Sequence, residues 1–392
     1  MDIFQKCSEF TIAREAIAAG IYPYFIALEK NEGTEAVFEG RRLIMCGSNN
    51  YLGLTMHPKV RQAAQDAIAL YGTSCTGSRF LNGTLELHEQ LERELAEWVG
   101  KESALVFSTG MQTNMGTISA LVGRGDIVYL DKDDHASIVD GARLSWGEVK
   151  RFKHNDMDDL ERVLAKSPEE KGKLIVVDGL FSMEGDIAPL PELTVLAHKY
   201  GARLMVDDAH AIGILGGGRG TAAYFGITEK VDLIMSTFSK SFASLGGFIA
   251  GDDDVIHYIK HHARSLIFSA SIPAANAAAA LAALQVMREE PERIQRLLQI
   301  GEHMRQCYRE LGFNIGNSAT PVIPIIIGDD DRTILTWRLL FDSGLFVNPV
   351  LSPGVAAGRQ LLRTSYMATH TDQQLERVVE ILSTVGKKVG LI

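Results

Sequence analysis

Four short apolar runs in the middle of the chain, residues 126–130, 174–178, 203–207 and 232–237, each end on or just before a polar residue. Apolar runs of this length without alternation are the pattern of strands buried on both faces. Between them the spacing changes to that of helices, as in 190–200. This alternation predicts an α/β fold: a mostly parallel central sheet covered by helices, with ligands gathered at the carboxyl ends of the strands. Residues 85–99 predict an amphipathic helix with Leu87, Leu91, Leu95 and Trp98 on one side and Thr84 as its N-cap.

From about residue 285 the pattern changes. Helices at 292–311, 333–343 and 372–385 around a strand at 322–327 predict a smaller α+β C-terminal domain. The expected organisation is a large domain over 46–284, a small domain over 285–392, and a segment 1–45 that packs with the small domain or with a partner subunit. The alanine-rich stretch 271–287 falls short of the roughly 18–20 apolar residues a membrane span needs, and reads as a buried helix.

Composition narrows the function classes. A formal net charge of −10 argues against a general nucleic-acid binder. Cys7, Cys46, Cys75 and Cys307 form no CxxC pair, so reduced thiols are expected and no metal. The first residues lack the apolar core of a signal peptide, which points to the cytoplasm.

The candidate chemistry gathers at expected strand ends. Asp207 closes one run, His210 follows it, and Lys240 stands just beyond the run that ends at Thr237. A lysine amine partly desolvated in such a place can act as nucleophile and base. Gly110 and Met111 precede a helical pattern, where backbone N–H groups and the helix dipole favour a phosphate. Each signal alone is weak: strand-end aspartates often cap turns, and most lysines in Ser/Gly-rich loops are solvated. The run Gly216-Gly217-Gly218-Arg219-Gly220 lacks the Gly-Lys-Ser/Thr ending of a P-loop and reads as a tight surface turn.

Five stretches in order carry a resemblance: Ser48-Asn49-Asn50-Tyr51-Leu52-Gly53-Leu54, Asp134-His135-Ala136-Ser137-Ile138, Phe181-Ser182-Met183-Glu184-Gly185, Asp207-Asp208-Ala209-His210 and Thr237-Phe238-Ser239-Lys240. From about Gly20 onward the chain resembles the α-oxoamine synthases, fold-type-I enzymes dependent on pyridoxal 5′-phosphate (PLP) that condense an amino acid with an acyl-CoA and release CO₂. The resemblance implies that Lys240 binds the cofactor and acts as acid and base. Asp207 would pair with the ring nitrogen, His210 with the phenolic oxygen, and His135 would stack on the ring. Thr237, Ser239, Gly110 and Met111 would hold the phosphate. Ser269 would reach it from the other subunit of a homodimer with shared active sites, and Ser182 would lie near the substrate. Arg363 and Asn49 would bind the amino acid's carboxylate. One departure is that Asp208 stands where the family usually has glutamate.

Within the family, residues 20–25 and 237–242 are most similar to the members that join serine to a long-chain acyl-CoA. Pro23 stands where members using succinyl-CoA place an arginine, which favours a neutral acyl tail. Tyr22, Tyr24 and Phe25 fit either an apolar acyl channel or domain packing. The stretch Leu351-Ser352-Pro353-Gly354 departs from the arginine-bearing Pro-rich run of some serine-using members. Other readings stay open: a member with another donor, a PLP aminotransferase or lyase, and a non-catalytic regulatory subunit, the last disfavoured by Lys240. No stable membrane insertion is expected, only transient contact.

Overall fold

The computed structural model describes residues 2–392. They form two compact units, one of residues 49–300 with 367–369, the other of the segment through Ser48 with 301–366 and 370–392.

The larger unit is built on seven strands: β1 Ser103–Phe107, β2 Ile127–Asp131, β3 Glu148–Phe152, β4 Lys173–Asp178, β5 Arg203–Asp207, β6 Leu233–Thr237 and β7 Gly247–Gly251. Their order is β1-β7-β6-β5-β4-β2-β3. All run parallel except β7, which is antiparallel to both of its neighbours. Every residue of β2, β4, β6 and β7 is buried, as expected for central strands covered on both faces. Helices α1 Glu86–Val99, α2 Gly110–Leu121 and α3 Ala136–Leu144 belong to this unit. Helix α1 packs on β1 and β7, and α2 on β1, β6 and β7. Phe107, Ile118, Ile138, Val176 and Met235 meet in one core under α2 and α3.

Strand β2 starts at Ile127 rather than 126 because Asp126 is used in the preceding turn, its Oδ2 accepting the Gly123 N–H at 2.8 Å. Thr84 is not the cap of α1. Its hydroxyl donates to the Arg79 carbonyl (2.7 Å) and accepts from Arg79 Nε (3.1 Å). Leu85 occupies the cap position, and its N–H donates to His88 Nδ1 at 3.2 Å. Burial and the Arg79 charge lower the His88 pKa to about 4, so the ring is neutral and Nδ1 can accept.

The expected boundary after residue 284 is displaced. The alanine-rich helix Ala274–Glu289 stays in the larger unit, packed on helices Pro58–Tyr71 and Glu86–Val99, and the division falls between 300 and 301. Small side chains let these helices approach closely: Ala274 and Ala278 lie on Ala67.

The glycine run forms the expected turn, but only part of it is at the surface. Gly218 and Gly220 are buried. At Gly220, with φ +101°, a Cβ would fall 2.1 Å from Asp208 Oδ2. Asp208 fills this slot, accepting from Thr221 N (2.8 Å) and Thr221 Oγ1 (2.6 Å).

In the smaller unit the N-terminal strands Lys30–Asn31, Glu35–Phe38 and Arg41–Met45 continue into Leu345–Phe346, which pairs parallel with the third. Strands Val322–Ile326, Leu361–Ser365 and Asn348–Val350 form a second, antiparallel sheet with Leu361–Ser365 at its centre. Among the described residues, no helix is long and apolar enough to cross a membrane.

Candidate active site

The carboxyl ends of β4, β5 and β6 open on a cavity of about 250 Å³. Gly110, Met111, His135, Asp178, Asp207, His210, Thr237, Ser239 and Lys240 line it with six further residues.

One end is the start of α2. Thr109 caps the helix, its Oγ1 accepting the Gln112 N–H at 3.1 Å. Beside it, Thr237 Oγ1 lies 3.0 Å from Ser239 Oγ and donates to the Gly246 carbonyl (2.9 Å). A Cβ on Gly110 would lie 2.8 Å from Thr237 Oγ1, so only glycine keeps this helix start open to the cavity. Backbone N–H groups and two hydroxyls thus converge where an anion is favoured.

The opposite end is held by Asp207. Its Oδ1 accepts from Ala209 N (2.9 Å) and its Oδ2 from Asn114 Nδ2 (2.7 Å). Asn114 also donates to Ser137 Oγ (2.8 Å), whose hydroxyl lies 2.8 Å from His135 Nδ1. One buried amide therefore orients both the carboxylate and the imidazole. Since Nδ1 also accepts the Ser137 N–H at 3.2 Å, the network assigns the ring proton to Nε2. Burial lowers the His135 pKa, Asp207 opposes this and Lys240 adds to it, so the ring is neutral at neutral pH. His135 caps α3 as well as lining the cavity. His210 Nδ1 lies 2.7 Å from the hydroxyl of fully buried Tyr51.

Lys240 stands on a loop closed by Phe238 N–H to Gly246 O (2.9 Å) and Ser244 N–H to Phe238 O (2.9 Å). Phe238, Phe242 and Phe248, all fully buried, pack beneath it, with the first pair of rings 5.1 Å apart.

Ser182, Ser269 and Asn49 are not among the cavity's lining residues. Ser269 Oγ accepts from Gln112 Nε2 (2.8 Å), and Asn49 Oδ1 accepts from the Tyr51 hydroxyl (3.2 Å). Arg363 belongs to the smaller unit, buried in the central strand of its antiparallel sheet. Tyr24 and Phe25 are exposed, Phe25 at 95%. Asn114 and Tyr51 have supporting roles that motif inspection did not single out. For Asn114 the available signal was a buried-side amide in a helix otherwise rich in small and apolar residues, Gln112 apart.

This sheet and cavity define a class: the chain belongs to the aminotransferase class I and II family, whose profile matches residues 41–382. It is 51% identical over 388 residues to a serine palmitoyltransferase of Sphingobacterium spiritivorum, covering 99% of this chain and 97% of that one. To an 8-amino-7-oxononanoate synthase of Alkaliphilus metalliredigens it is 40% identical over 375 residues, 95% of each. Its fold is similar to a solved structure of serine palmitoyltransferase with a PLP internal aldimine, with TM-score 0.97, 35% identity and all of both chains covered.

Proposed function

We propose that the chain is a PLP-dependent acyltransferase that condenses L-serine with a long-chain acyl-CoA, palmitoyl-CoA foremost, giving 3-ketodihydrosphingosine, CoA and CO₂. The observation that carries this reading is the cavity joining Lys240, Asp207, His135 and the start of α2, in a chain alike over its length to serine palmitoyltransferase.

The residues fit PLP. Lys240 offers the amine, Asp207 a buried carboxylate for the ring nitrogen, His210 a partner for the phenolic oxygen and His135 a flat neutral ring. Gly110, Met111, Thr237 and Ser239 would surround the phosphate, with Ser269 reaching it across a homodimer. When bound, PLP supplies the electron sink that makes the amino acid's Cα acidic.

The chain does the rest by position and proton transfer. Arg363, through a planar guanidinium suited to carboxylates, and Asn49 hold the amino acid's carboxylate. Ser182 stands near the substrate. Lys240 Nζ removes the Cα proton. The Cα–C bond forms as the thioester C–S bond breaks, and CoA leaves as the thiolate, which takes up a proton from water. The Cα–carboxylate bond then breaks, CO₂ departs, and Lys240 Nζ returns a proton to Cα. We place the homodimer in the cytoplasm, meeting membranes only transiently.

The test adds serine, glycine, alanine or threonine to the PLP-loaded protein, then acyl-CoAs of graded length, and measures free CoA. Serine-dependent release that is fastest with palmitoyl-CoA is expected. A preference for alanine would move the reading toward the oxononanoate synthases, and no release with any donor would exclude a synthase. A second prediction concerns the helix start. Gly110→Ala weakens PLP binding to the apoprotein about tenfold, measured by fluorescence titration, because the methyl group meets Thr237 at 2.8 Å. An unchanged affinity would place the phosphate elsewhere.

A further inference from the structure

We propose that His154, which lies outside the cavity, is a positively charged positioning residue that ties the loop carrying His135 to the loop following Asp178 and so sets how tightly the amino acid is held. The inference rests on the function proposed above.

His154 follows β3, with Nδ1 3.0 Å from Asp131 Oδ1 and Nε2 2.8 Å from Asp186 Oδ2. Asp133 Oδ2 stands 3.9 Å from Nδ1. A neutral imidazole donates from one nitrogen only, so one carboxylate would face a lone pair; both contacts are satisfied by the imidazolium. Phe181 meets the ring edge to face at 4.4 Å. Asn155, at φ +50°, reinforces the same bridge, its N–H donating to Asp131 Oδ2 (2.8 Å) and its amide to Asp186 Oδ2 (2.9 Å).

The two carboxylates stand at the end of β2 and in the loop that leaves the adjacent strand β4. Asp131 ends β2, four residues before His135. Asp186 closes the turn after β4, its carbonyl accepting the Phe181 N–H at 3.0 Å. Closer to the cavity the loops meet again, where His135 N–H donates to Asp178 Oδ2 at 2.7 Å. Asp134 and Asp178 are both pushed well above the usual carboxylate range, by burial and by neighbouring carboxylates. His154 thus sits as a cation in an acidic neighbourhood. Removing its charge leaves Asp131, Asp133 and Asp186 repelling across the gap.

Burial alone would strip the proton from His154, but the bonds to Asp131 and Asp186 outweigh it and raise the pKa to about 10. The folded value lies above the ordinary one. Its stabilisation is therefore complete below about pH 6.5 and is lost as the pH rises through about 10.

The test uses His154→Gln in the PLP-loaded protein. The KM for serine, or for whichever amino acid the wild type prefers, is expected to rise about tenfold while kcat stays within about threefold. The melting-temperature gap between wild type and variant is expected to be widest at neutral pH and to close by about pH 10.5. In the wild type, ¹³C-resolved NMR of the ring should show a protonated imidazole at pH 8. An unchanged KM, a kcat that falls in step with stability at unaltered KM, or a ring titrating near 6.5 overturns the proposal. If the wild type released no CoA, the function would fail while the NMR and melting readouts still tested the charged bridge.

Discussion

Lys240→Ala abolishes amino-acid-dependent CoA release, leaving a rate about 10³-fold or more below the wild type, and the PLP-loaded protein loses its yellow lysine-linked absorbance. The size of the effect follows from the absence of a substitute. Among the cavity's lining residues Lys240 is the only amine, and the imidazole of His135 is bound through Nδ1 to Ser137, with its pKa lowered by burial. The substitution leaves the framework in place. The Lys240 side chain is only half-buried, whereas the loop is held by its own backbone bonds and by the Phe238, Phe242 and Phe248 rings. The melting temperature of the apoprotein should therefore stay close to that of the wild type. Persistence of both colour and activity in the alanine variant would remove Lys240 from the site.

The strands that end at the cavity were the most legible part of the chain. β5 runs over Arg203–Asp207 as the pattern predicts, and β6 begins one residue late at Leu233. These are central strands, so burial on both faces writes a continuous apolar run. β3 is an edge strand with exposed Glu148, Val149 and Arg151, and no such run marks it. β7, Gly-Phe-Ile-Ala-Gly, reads as loop by its glycines, yet Gly247 is demanded by contact: a Cβ there would sit 2.9 Å from Gly110 Cα. The cavity residues Lys240, Asp207, His210 and His135 follow strand ends or open a helix, where local pattern is informative. Their supports are long-range. The Asn114–Asp207 bond spans 93 residues and the Tyr51–His210 contact 159, distances over which composition and periodicity are silent. His154 is similar, since an imidazole between two carboxylates exists only once β2, β3 and the loop after β4 are side by side.

Asp207→Asn lowers kcat by about 10²–10³-fold, with a parallel loss in the rate at which the PLP-loaded protein exchanges the α-proton of serine with solvent deuterium. In the proposed site Asp207 would keep the proton on the cofactor's ring nitrogen, and its charge is the feature an amide cannot supply. The surroundings are arranged for that charge. Both oxygens accept N–H bonds, from Ala209 and Asn114, and the residue is 2% exposed. The carboxyls around it yield. Burial, with the Asp207 charge adding to it, pushes Asp178 well up, and raises Asp208 to about 7 against the bonds from Thr221. The acids around the oriented Asp207 side chain, Asp178 and Asp208, thus hold protons more readily than ordinary carboxyls. The asparagine variant is nearly isosteric, but it must turn an NH₂ toward either the Ala209 N–H or the Asn114 NH₂, leaving two buried donors opposed. PLP binding should weaken less than catalysis, because Lys240 and the start of α2 are untouched. The exchange measurement separates the roles: it needs no acyl-CoA, so a fault in the second substrate's binding would leave it unchanged. An exchange rate within about threefold of the wild type would show that the Asp207 charge is not what makes Cα acidic.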